Sequence, residues 1–391
     1  MNVAFFHHTS DLYGASRSLI NLIDGLKKRG VSPHVFLIED GPIVTELCNR
    51  NIPFEFVPFR WWVHERLPPN TSPIETLKFK NSLVFKLIRN FTCIPLIVKI
   101  INKWKIDLLY TNTLVLPIGS MVAKFNSIPH IWHIREFGDL DYGFGFDWGI
   151  KRTKHAINNA SAIITISNAV REAFVQSEAL YKHTTVYNGV AWEKDMQIFK
   201  KNSKSRERHN LDNEYQFSIV GQIHPAKGQL EAIEALSIVS RTYPNVRLNI
   251  VGFGQEKYIL PCIEKTRELD VIDKINFSGF IADPYEVYIQ SDAVLMCSRR
   301  EALGRVTMEA MSAAKPIIGR ASGGTLELID DNENGLLYDG GSDELAKCMM
   351  KFVEMPEWAR EMGERGWLKA TENFTIERYS EKIHRVMTRL I

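Results

Sequence analysis

Two glutamates, Glu301 and Glu309, are separated by seven residues and have the chemistry to bind ligand hydroxyls. The apolar run 292–297 predicts a buried strand before them, and the apolar periodicity between Gly304 and Pro316 predicts a helix after Glu301. The start of such a helix presents free backbone N–H groups, which favour phosphate. Two carboxylates that flank an anion site suit a sugar nucleotide.

A glycine-rich turn at Gly323–Gly324 and the triplet Asn334-Gly335-Leu336 follow this pair of glutamates. The combination resembles the nucleotide-sugar-dependent retaining glycosyltransferases of family 4. The resemblance implies an α/β protein of the GT-B fold, with two Rossmann-like doubly wound parallel-sheet domains facing across a cleft. It also implies that Glu301 hydrogen-bonds the donor sugar as a catalytic residue and that Glu309 accepts the ribose hydroxyls. Gly323 and Gly324 are expected near the sugar or the phosphate.

The second half of the chain opens with a predicted strand and the segment Gly221–Gly228. In the resembling family this segment holds an arginine and a lysine that grip the donor diphosphate. Lys227 and Gly228 match, so Lys227 is expected to bind the donor and to act in catalysis. Gln222 occupies the position of the arginine and is expected to bind the donor, because its amide can hydrogen-bond phosphate, but it carries no charge. We hypothesise that Arg305 supplies the missing charge.

Gly252 and Gly254 follow another predicted strand, as in a dinucleotide-binding turn. The third glycine of G-x-G-x-x-G is absent, because Lys257 stands in its place, so the signal for NAD is weak. The resemblance places this turn beside the nucleotide of the donor. A tight turn that needs glycine for its backbone angles alone is an equal interpretation.

The turn Asp11–Ser16 lies between the first predicted strand and its helix. It resembles the family loop that closes over donor and acceptor, so Gly14 and Ala15 are expected to present N–H groups to the diphosphate. Tyr13 replaces the first glycine of that loop and is assigned to the acceptor side.

The fifth predicted strand contains His133, which resembles the active-site histidine of the family. Strand alternation places His133 and Arg135 on one face and Trp132 on the other. Arg135 is assigned, with Trp61 and Trp62, to the acceptor side. A histidine that is only a hydrogen-bonded core residue is the alternative to a catalytic His133.

Asp139 and Asp141 form a D-x-D triplet, the metal signature of the other main glycosyltransferase fold. The triplet lies in a polar loop far along the chain from the donor motifs, and such triplets arise readily by chance. We therefore expect no metal site and no cofactor.

The charge of the chain is uneven. Residues 1–180 hold 20 Lys and Arg against 15 Asp and Glu, whereas the remainder holds 28 against 31. The segment 76–106 contains seven basic residues and no acidic one, with apolar residues interleaved. It is expected to rest on an anionic membrane surface, or to be a core helix with a solvated basic face that Pro95 interrupts. No nucleic-acid partner is expected.

Five scattered cysteines without a C-x-x-C motif favour reduced thiols, and the N-terminus lacks the pattern of a signal peptide. A cytoplasmic protein, peripheral on the inner face of the plasma membrane through 76–106, is therefore expected.

Strand and helix patterns alternate in two series, which predicts two doubly wound halves. The expected organisation is an N-terminal acceptor domain over 1–190, a linker over 191–213, a nucleotide-sugar donor domain over 214–372, and a final helix over 373–391. In the resembling family that helix crosses back onto the first domain.

The function that these patterns favour is a metal-independent retaining glycosyltransferase. It would transfer a sugar from a UDP-sugar to a glycan or lipid-linked acceptor in cell-surface polysaccharide synthesis. Two alternatives share the fold. A nucleotide-sugar epimerase would act on the donor without an acceptor, and a non-catalytic subunit would bind the donor without turnover.

Overall fold

The computed structural model describes residues 1–68, 70–209 and 214–391. Its backbone separates into two units, the first comprising Met1–Gly189 with Ile376–Ile391 and the second comprising Val190–Thr375. The interval 191–213, expected to be a linker, lies in the second unit and contains a helix, and its positions 210–213 lie outside the described residues.

Short, almost wholly buried stretches form the central strands of the first sheet, as expected for a sheet covered on both faces. The strands are β1 (Asn2–Phe6), β2 (Ser32–Leu37), β3 (Phe54–Phe56), β4 (Val63–Glu65), β5 (Leu108–Thr111), β6 (His130–Ile134), β7 (Phe144–Phe146), β8 (Ala162–Thr165) and β9 (His183–Thr185). Seven of them make a parallel sheet in the order β3-β2-β1-β5-β6-β8-β9, and β4 pairs with β7 in an antiparallel ribbon.

Helices connect these strands and cover the sheet. They are α1 (Gly14–Lys27), α2 (Pro42–Asn49), α3 (Pro73–Trp104), α4 (Ile118–Asn126), α5 (Asp139–Tyr142), α6 (Ile150–Asn158) and α7 (Asn168–Phe174), followed by a 3₁₀ turn over Ser177–Lys182. The last helix of the chain, Ile376–Thr388, also belongs to this unit. Its Tyr379 and Ile383 share one apolar core with Leu19, Leu22 and Ile23 of α1. Burying such side chains contributes about 1.5–3 kcal/mol each.

The second unit repeats the alternation. Its strands are β10 (Tyr215–Val220), β11 (Val246–Val251), β12 (Ile275–Gly279), β13 (Ala293–Met296), β14 (Ile317–Arg320) and β15 (Leu336–Tyr338), all parallel, in the order β12-β11-β10-β13-β14-β15. Its helices are α8 (Glu193–His209), α9 (Gln229–Thr242), α10 (Glu256–Glu268), α11 (Pro284–Gln290), α12 (Arg305–Ser312), α13 (Thr325–Leu328), α14 (Ser342–Glu354) and α15 (Pro356–Asn373), with 3₁₀ turns over Pro225–Lys227 and Ile272–Lys274. The final helix of the first unit is α16.

The strand order reverses direction once in each sheet. In the first sheet the chain passes from β1 outward to β3 and then returns to β5 beside β1. In the second sheet it passes from β10 to β12 and returns to β13 beside β10. Loops diverge at such a switch point and leave a crevice at the carboxyl ends of the strands, which is where open α/β sheets bind ligands. The candidate ligand-binding loops are therefore two pairs, one after β1 and β5 and one after β10 and β13.

Helix α3 is longer and more exposed than the sequence predicts. The Ser72 hydroxyl and the Glu75 carboxylate form a capping box at its start, and the helix continues through Pro95, which was expected to interrupt it. Its buried side chains lie in the second half, from Asn90 onward. Within the described residues, no helix combines the length and the apolar character needed to cross a membrane.

Candidate functional site

The loops after β10 and β13 contact each other at the switch point of the second sheet. The Arg299 backbone N–H donates to the Ala226 carbonyl at 2.9 Å, which joins the loop that carries Lys227 to the loop that carries Glu301. Both loops precede a helix start, since α9 begins at Gln229 and α12 begins at Arg305. The unbonded N–H groups of these helix starts favour an anion at this edge of the sheet.

Lys227 and Glu301 form an ion pair across this loop pair. Lys227 Nζ lies 2.8 Å from Glu301 Oε2, with 32% of the lysine side chain and 18% of the glutamate side chain exposed. Oε1 of Glu301 accepts no hydrogen bond from any part of the chain that the structure describes. The pair thus offers a ligand one accessible cation and one open carboxylate oxygen.

The glycine turn after β14 packs against the backbone of Glu301. The Gly324 N–H donates to the Glu301 carbonyl at 2.8 Å. Gly323 has a φ of +53°, and a Cβ at that position would lie 2.4 Å from the same carbonyl oxygen. Only glycine permits this approach, so the turn fixes the position of the Glu301 loop.

Glu309 is buried one helical turn beyond the start of α12, and both of its oxygens are bonded. Arg305 Nε donates to Oε1 at 2.6 Å, and the Tyr288 hydroxyl donates to Oε2 at 2.8 Å. Burial, together with the Glu309 charge, raises the pKa of Tyr288 well above its ordinary value, so its hydroxyl keeps its proton. Both oxygens are thus bonded within the protein, and only 4% of Glu309 is exposed. Its expected contact with ribose hydroxyls stays a prediction. The sequence pattern did not reveal Tyr288.

The turn at Gly252–Gly254 runs beside the loop that follows β10. A Cβ at Gly252 would lie 1.9 Å from the Gly221 carbonyl oxygen, and Gly254 pairs with Ile223 in a parallel bridge. Close approach of two backbones therefore accounts for these glycines. The neighbouring Gln222 side chain is exposed.

In the first unit, His133 is held by tyrosine and arginine side chains beneath the carboxyl end of β6. The Tyr110 hydroxyl lies 2.6 Å from His133 Nδ1, and Arg135 Nη1 lies 3.5 Å from the same nitrogen. Arginine only donates, and burial raises the pKa of Tyr110 well above its ordinary value, so Nδ1 is the acceptor. The ring proton is then on Nε2, which is buried without a hydrogen-bond partner in the described residues. In this tautomer, the Nε2–H group is a buried donor that the described residues leave unsatisfied.

Arg135 is buried among neutral partners. Its Nη1 donates to the Tyr379 hydroxyl of α16 at 3.0 Å, and its Nη2 donates to Asn188 Oδ1 at 2.7 Å. Glu136 does not pair with it, because the Glu136 carboxylate accepts from the Thr113 hydroxyl and from the Leu114 N–H. Asn188 and Tyr379 carry no motif, and only their place in the fold reveals this role.

The other residues predicted in the first unit lie around the β1 switch loop and the ribbon. Tyr13 precedes α1 with 44% of its surface exposed, and Gly14 and Ala15 form the first turn of that helix. Trp61 donates from Nε1 to the His8 carbonyl, whereas Trp62 is buried, donates to the Leu114 carbonyl and stacks on Trp132 at a centroid distance of 5.5 Å. The indole N–H groups of both tryptophans are therefore occupied by the backbone.

The D-x-D triplet contributes to local structure. Asp139 begins the short helix α5, and Asp141 accepts from the Phe137 N–H at 2.9 Å. Over residues 1–68, 70–209 and 214–391, no three His, Cys, Asp or Glu side chains are grouped to hold a metal ion.

Because several histidines in the first unit are buried, we expect the free energy of unfolding to fall as the pH is lowered. Burial lowers the pKa of His130 to about 3, and burial with the charge of Arg135 lowers that of His8 to about 4. His7 and His133 are shifted in the same direction. The unfolded chain protonates all four near pH 6.5, so their contribution is complete above that pH and is lost as the pH falls. Glu136 opposes them, since burial raises its pKa to about 7 and its folded form binds the extra proton.

Because the lowered histidines outnumber Glu136, we expect the free energy of unfolding to decrease as the pH falls below about 6.5. Urea unfolding at pH 7.5, 6.5 and 5.5 measures this loss. A free energy of unfolding that stays constant or rises as the pH falls would contradict the neutral state of these histidines.

The chain thus consists of two doubly wound α/β units, each with a switch point of the kind at which open α/β sheets bind ligands. Residues 13–194 match the family described as Glycosyltransferase Family 4, and residues 201–368 match the family described as Glycosyl transferases group 1. The chain belongs to these family-4-type glycosyltransferases and has the GT-B fold.

Solved and curated relatives agree with this assignment. The structure of HepE from Anabaena in complex with UDP superposes with a TM-score of 0.79 over 100% of both chains, at 24% identity. EpsD of Bacillus subtilis, a proposed glycosyltransferase, is 23% identical over 300 residues, which cover 72% of this chain and 77% of EpsD. Trehalose synthase of Thermococcus litoralis is 30% identical over 202 residues, so this chain matches only about half of that enzyme, 48% of its length.

Proposed function

We propose that the chain transfers a sugar, with retention of anomeric configuration, from a UDP-sugar to a glycan or lipid-linked acceptor in cell-surface polysaccharide synthesis. The observation that carries the proposal is the 2.8 Å contact between Lys227 and Glu301 at the switch point of the second sheet. In this contact, Lys227 is a cation that can bind a diphosphate, and Glu301 is a carboxylate that can accept hydrogen bonds from sugar hydroxyls. HepE, whose fold this chain shares, has been crystallised with UDP and with UDP-glucose, which supports UDP as the nucleotide.

The chemical problem is the departure of a nucleoside diphosphate from an anomeric carbon. In the proposed step the bond from the anomeric carbon to the diphosphate oxygen breaks while the acceptor oxygen bonds to that carbon from the same face. The departing phosphate oxygen takes the acceptor proton. Lys227 and the N–H groups at the starts of α9 and α12 stabilise the growing negative charge on the diphosphate. Glu301 orients the sugar through a hydroxyl, and His133 donates from Nε2 to a substrate oxygen.

Product analysis tests the proposal. The protein is incubated with a UDP-sugar and a panel of glycan and polyprenyl-diphosphate-linked acceptors in excess chelator, and the products are identified by mass spectrometry and anomeric NMR. We expect an α-linked product from an α-linked donor without added metal. An altered sugar nucleotide formed without any acceptor would indicate an epimerase, and binding of UDP without turnover would indicate a non-catalytic subunit. Turnover that returns only on addition of Mn²⁺ or Mg²⁺ would contradict metal independence.

Arg305 is proposed to supply the charge that Gln222 lacks. Its Nε donates to Glu309 Oε1 at 2.6 Å, which fixes the guanidinium at the start of α12, beside the loop of Glu301. Arg305→Ala is expected to raise the Kd for UDP about 10- to 100-fold, the scale of one charged hydrogen bond. Arg305→Lys retains the charge and should recover part of the affinity. Calorimetric titration with UDP measures both variants, and an unchanged Kd in Arg305→Ala ends the hypothesis.

Helix α3 is proposed to rest on an anionic membrane surface. Along one face of the helix, apolar side chains are about half exposed or more, namely Ile74 (69%), Leu77 (60%), Val84 (49%), Phe85 (59%), Ile88 (55%) and Phe91 (48%). The segment 76–106 adds seven basic residues without an acidic one. Lys86 is paired with Asp147, and each of the other six is worth about 1 kcal/mol near anionic lipid. Such a combination favours an interfacial helix.

Co-sedimentation with vesicles tests this surface. We expect binding to vesicles that contain phosphatidylglycerol, weakened by salt, and little binding to phosphatidylcholine alone. Phe85→Glu with Ile88→Glu should abolish it, because two charges enter the apolar stripe. Tyr181→Glu, at a position that is 84% exposed, is the matched control. The proposal would be refuted if vesicle binding were the same with and without phosphatidylglycerol, at low and high salt, and in the double variant.

A further inference from the structure

A cavity of ≈ 190 Å³ lies in the first unit, outside the residues proposed for catalysis. Most of its lining is apolar and aromatic: Trp61, Trp62, Leu87, Phe91, Met121 and Trp148. An apolar cavity of about 150 Å³ holds a benzene-sized hydrocarbon. The volume therefore accommodates a short length of hydrocarbon chain or one sugar ring.

The polar groups of the lining decide between these two ligands. Asn90 bonds the N–H and the carbonyl of Arg60, and the Ser120 hydroxyl donates to the Pro117 carbonyl. Asp147 is bonded by His64 at 2.8 Å and by Lys86 at 3.2 Å. These side chains are already satisfied within the protein. A sugar ring would bury hydroxyls without partners, which costs about 1–3 kcal/mol each, whereas hydrocarbon carries no such cost.

The charge of the lining favours an anion beside that hydrocarbon. Lys86 is neutralised by Asp147, whereas Lys124 is exposed and makes no ion pair within the described residues. Phe91 lines the cavity and also belongs to the exposed apolar stripe of α3, with Ile88 one turn before it. The cavity is thus continuous with the surface proposed to contact the membrane, and Lys124 provides the positive charge at its edge.

We propose that this cavity binds the hydrocarbon chain of a lipid phosphate, with the phosphate against Lys124. The inference rests on the proposed function, in which the acceptor is lipid-linked, and it assigns to that acceptor a chain-binding site in the first unit. The hydrocarbon chain of the lipid enters from the apolar stripe of α3 and packs among the tryptophans. The phosphate remains at the solvent-exposed edge of the cavity.

Calorimetric titration with farnesyl phosphate below its micelle concentration tests the site, with farnesol, inorganic phosphate and methyl glucoside as comparison probes. We expect binding of farnesyl phosphate, weaker binding of farnesol and none of the other two. Ala156→Phe, which fills the cavity from a half-buried position of its lining, should weaken farnesyl phosphate more than about tenfold, as overpacking of a filled site does. Lys124→Gln should weaken farnesyl phosphate about tenfold, the scale of one charge-assisted bond, and leave farnesol unchanged.

Lys151→Gln, at an exposed position of α6, is the matched control and should behave as wild type. A circular dichroism spectrum and a urea unfolding transition like those of the wild type show that the first unit, which contains all three substituted positions, is folded in each variant. Equal affinity for farnesyl phosphate in wild type and Ala156→Phe, or binding of methyl glucoside that Ala156→Phe abolishes, would overturn the assignment. Farnesyl phosphate binding that follows these variants, without transfer to any polyprenyl-linked acceptor, would support the cavity and refute the acceptor class proposed above.

Discussion

Lys227→Met is expected to lower kcat for sugar transfer about 10²- to 10³-fold, the range found when one preorganised donor to a developing negative charge is removed. Lys227 is the cation that the structure brings to Glu301 at the edge of the second sheet, and the methionine keeps its length while removing its charge. The free energy of unfolding should change little. Because a third of the lysine side chain is exposed, the ion pair itself contributes at most about 1 kcal/mol.

Steady-state kinetics together with urea unfolding separates these effects. Lys347→Met, at an exposed position of α14, is the matched control and should keep the kcat of the wild type. A large loss of stability in Lys227→Met, or a kcat within a factor of about three of wild type, well under the smallest loss expected, would show that the lysine is not at the reacting centre.

Glu301→Gln is expected to lower kcat about 10- to 100-fold, because a hydrogen bond to a charged group contributes about 1.5–3 kcal/mol. The amide keeps the shape of the side chain but weakens acceptance of a sugar hydroxyl by the oxygen that the protein leaves open. The Kd for UDP should change much less than kcat, since UDP carries no transferred sugar. Kinetics with the UDP-sugar and titration with UDP measure the two quantities.

Glu333→Gln, an exposed glutamate in the turn before β15, is the control for Glu301→Gln. In the double variant Lys227→Met/Glu301→Gln, the losses should be smaller than the sum of the single losses, because the side chains are in contact. Strict additivity of the two free-energy losses would contradict a coupled pair. If Glu301→Gln lowered the affinity for UDP as much as it lowered kcat, Glu301 would bind the nucleotide and not the sugar.

The sequence was sufficient to predict two doubly wound α/β halves, because strongly apolar strands alternate with helices throughout both halves. The resemblance to the family 4 glycosyltransferases, carried by the motifs, added the GT-B fold. The residues of β1 and β6, and the apolar face of α1 at Leu19, Leu22 and Ile23, could be identified from periodicity alone. Short elements were harder to predict from the sequence. The ribbon of β4 and β7 is three residues on each side, and its pairing joins positions about 80 residues apart, for which no local pattern exists.

The continuity of α3 shows a different limit of prediction from sequence. Pro95 suggested an interruption, since proline removes one backbone hydrogen bond. In the structure, Cys93, Ile94 and Ile97 around it are buried, and the packing of this face maintains the helix. Tertiary contacts that override a local preference of about 3 kcal/mol cannot be read from spacing.

The positions of the candidate site residues were predicted more completely than their partners. The family resemblance predicted that Lys227, Glu301 and Glu309 bind one donor, and the structure adds the 2.8 Å distance between Lys227 and Glu301. Tyr288 and Tyr379, which bond Glu309 and Arg135, come from elements without a motif, and only the packed fold brings them there. Partners of this kind are set by three-dimensional proximity.

Amide hydrogen exchange with and without saturating UDP tests the central claim most directly, because it needs no acceptor. The claim is that a nucleoside diphosphate binds at the switch point of the second sheet, between the loop of Lys227 and the start of α12. We predict slowed exchange over 221–228 and 301–309, lost in Lys227→Met at the same UDP concentration. Unchanged exchange in both segments at a UDP concentration that saturates the protein would contradict it.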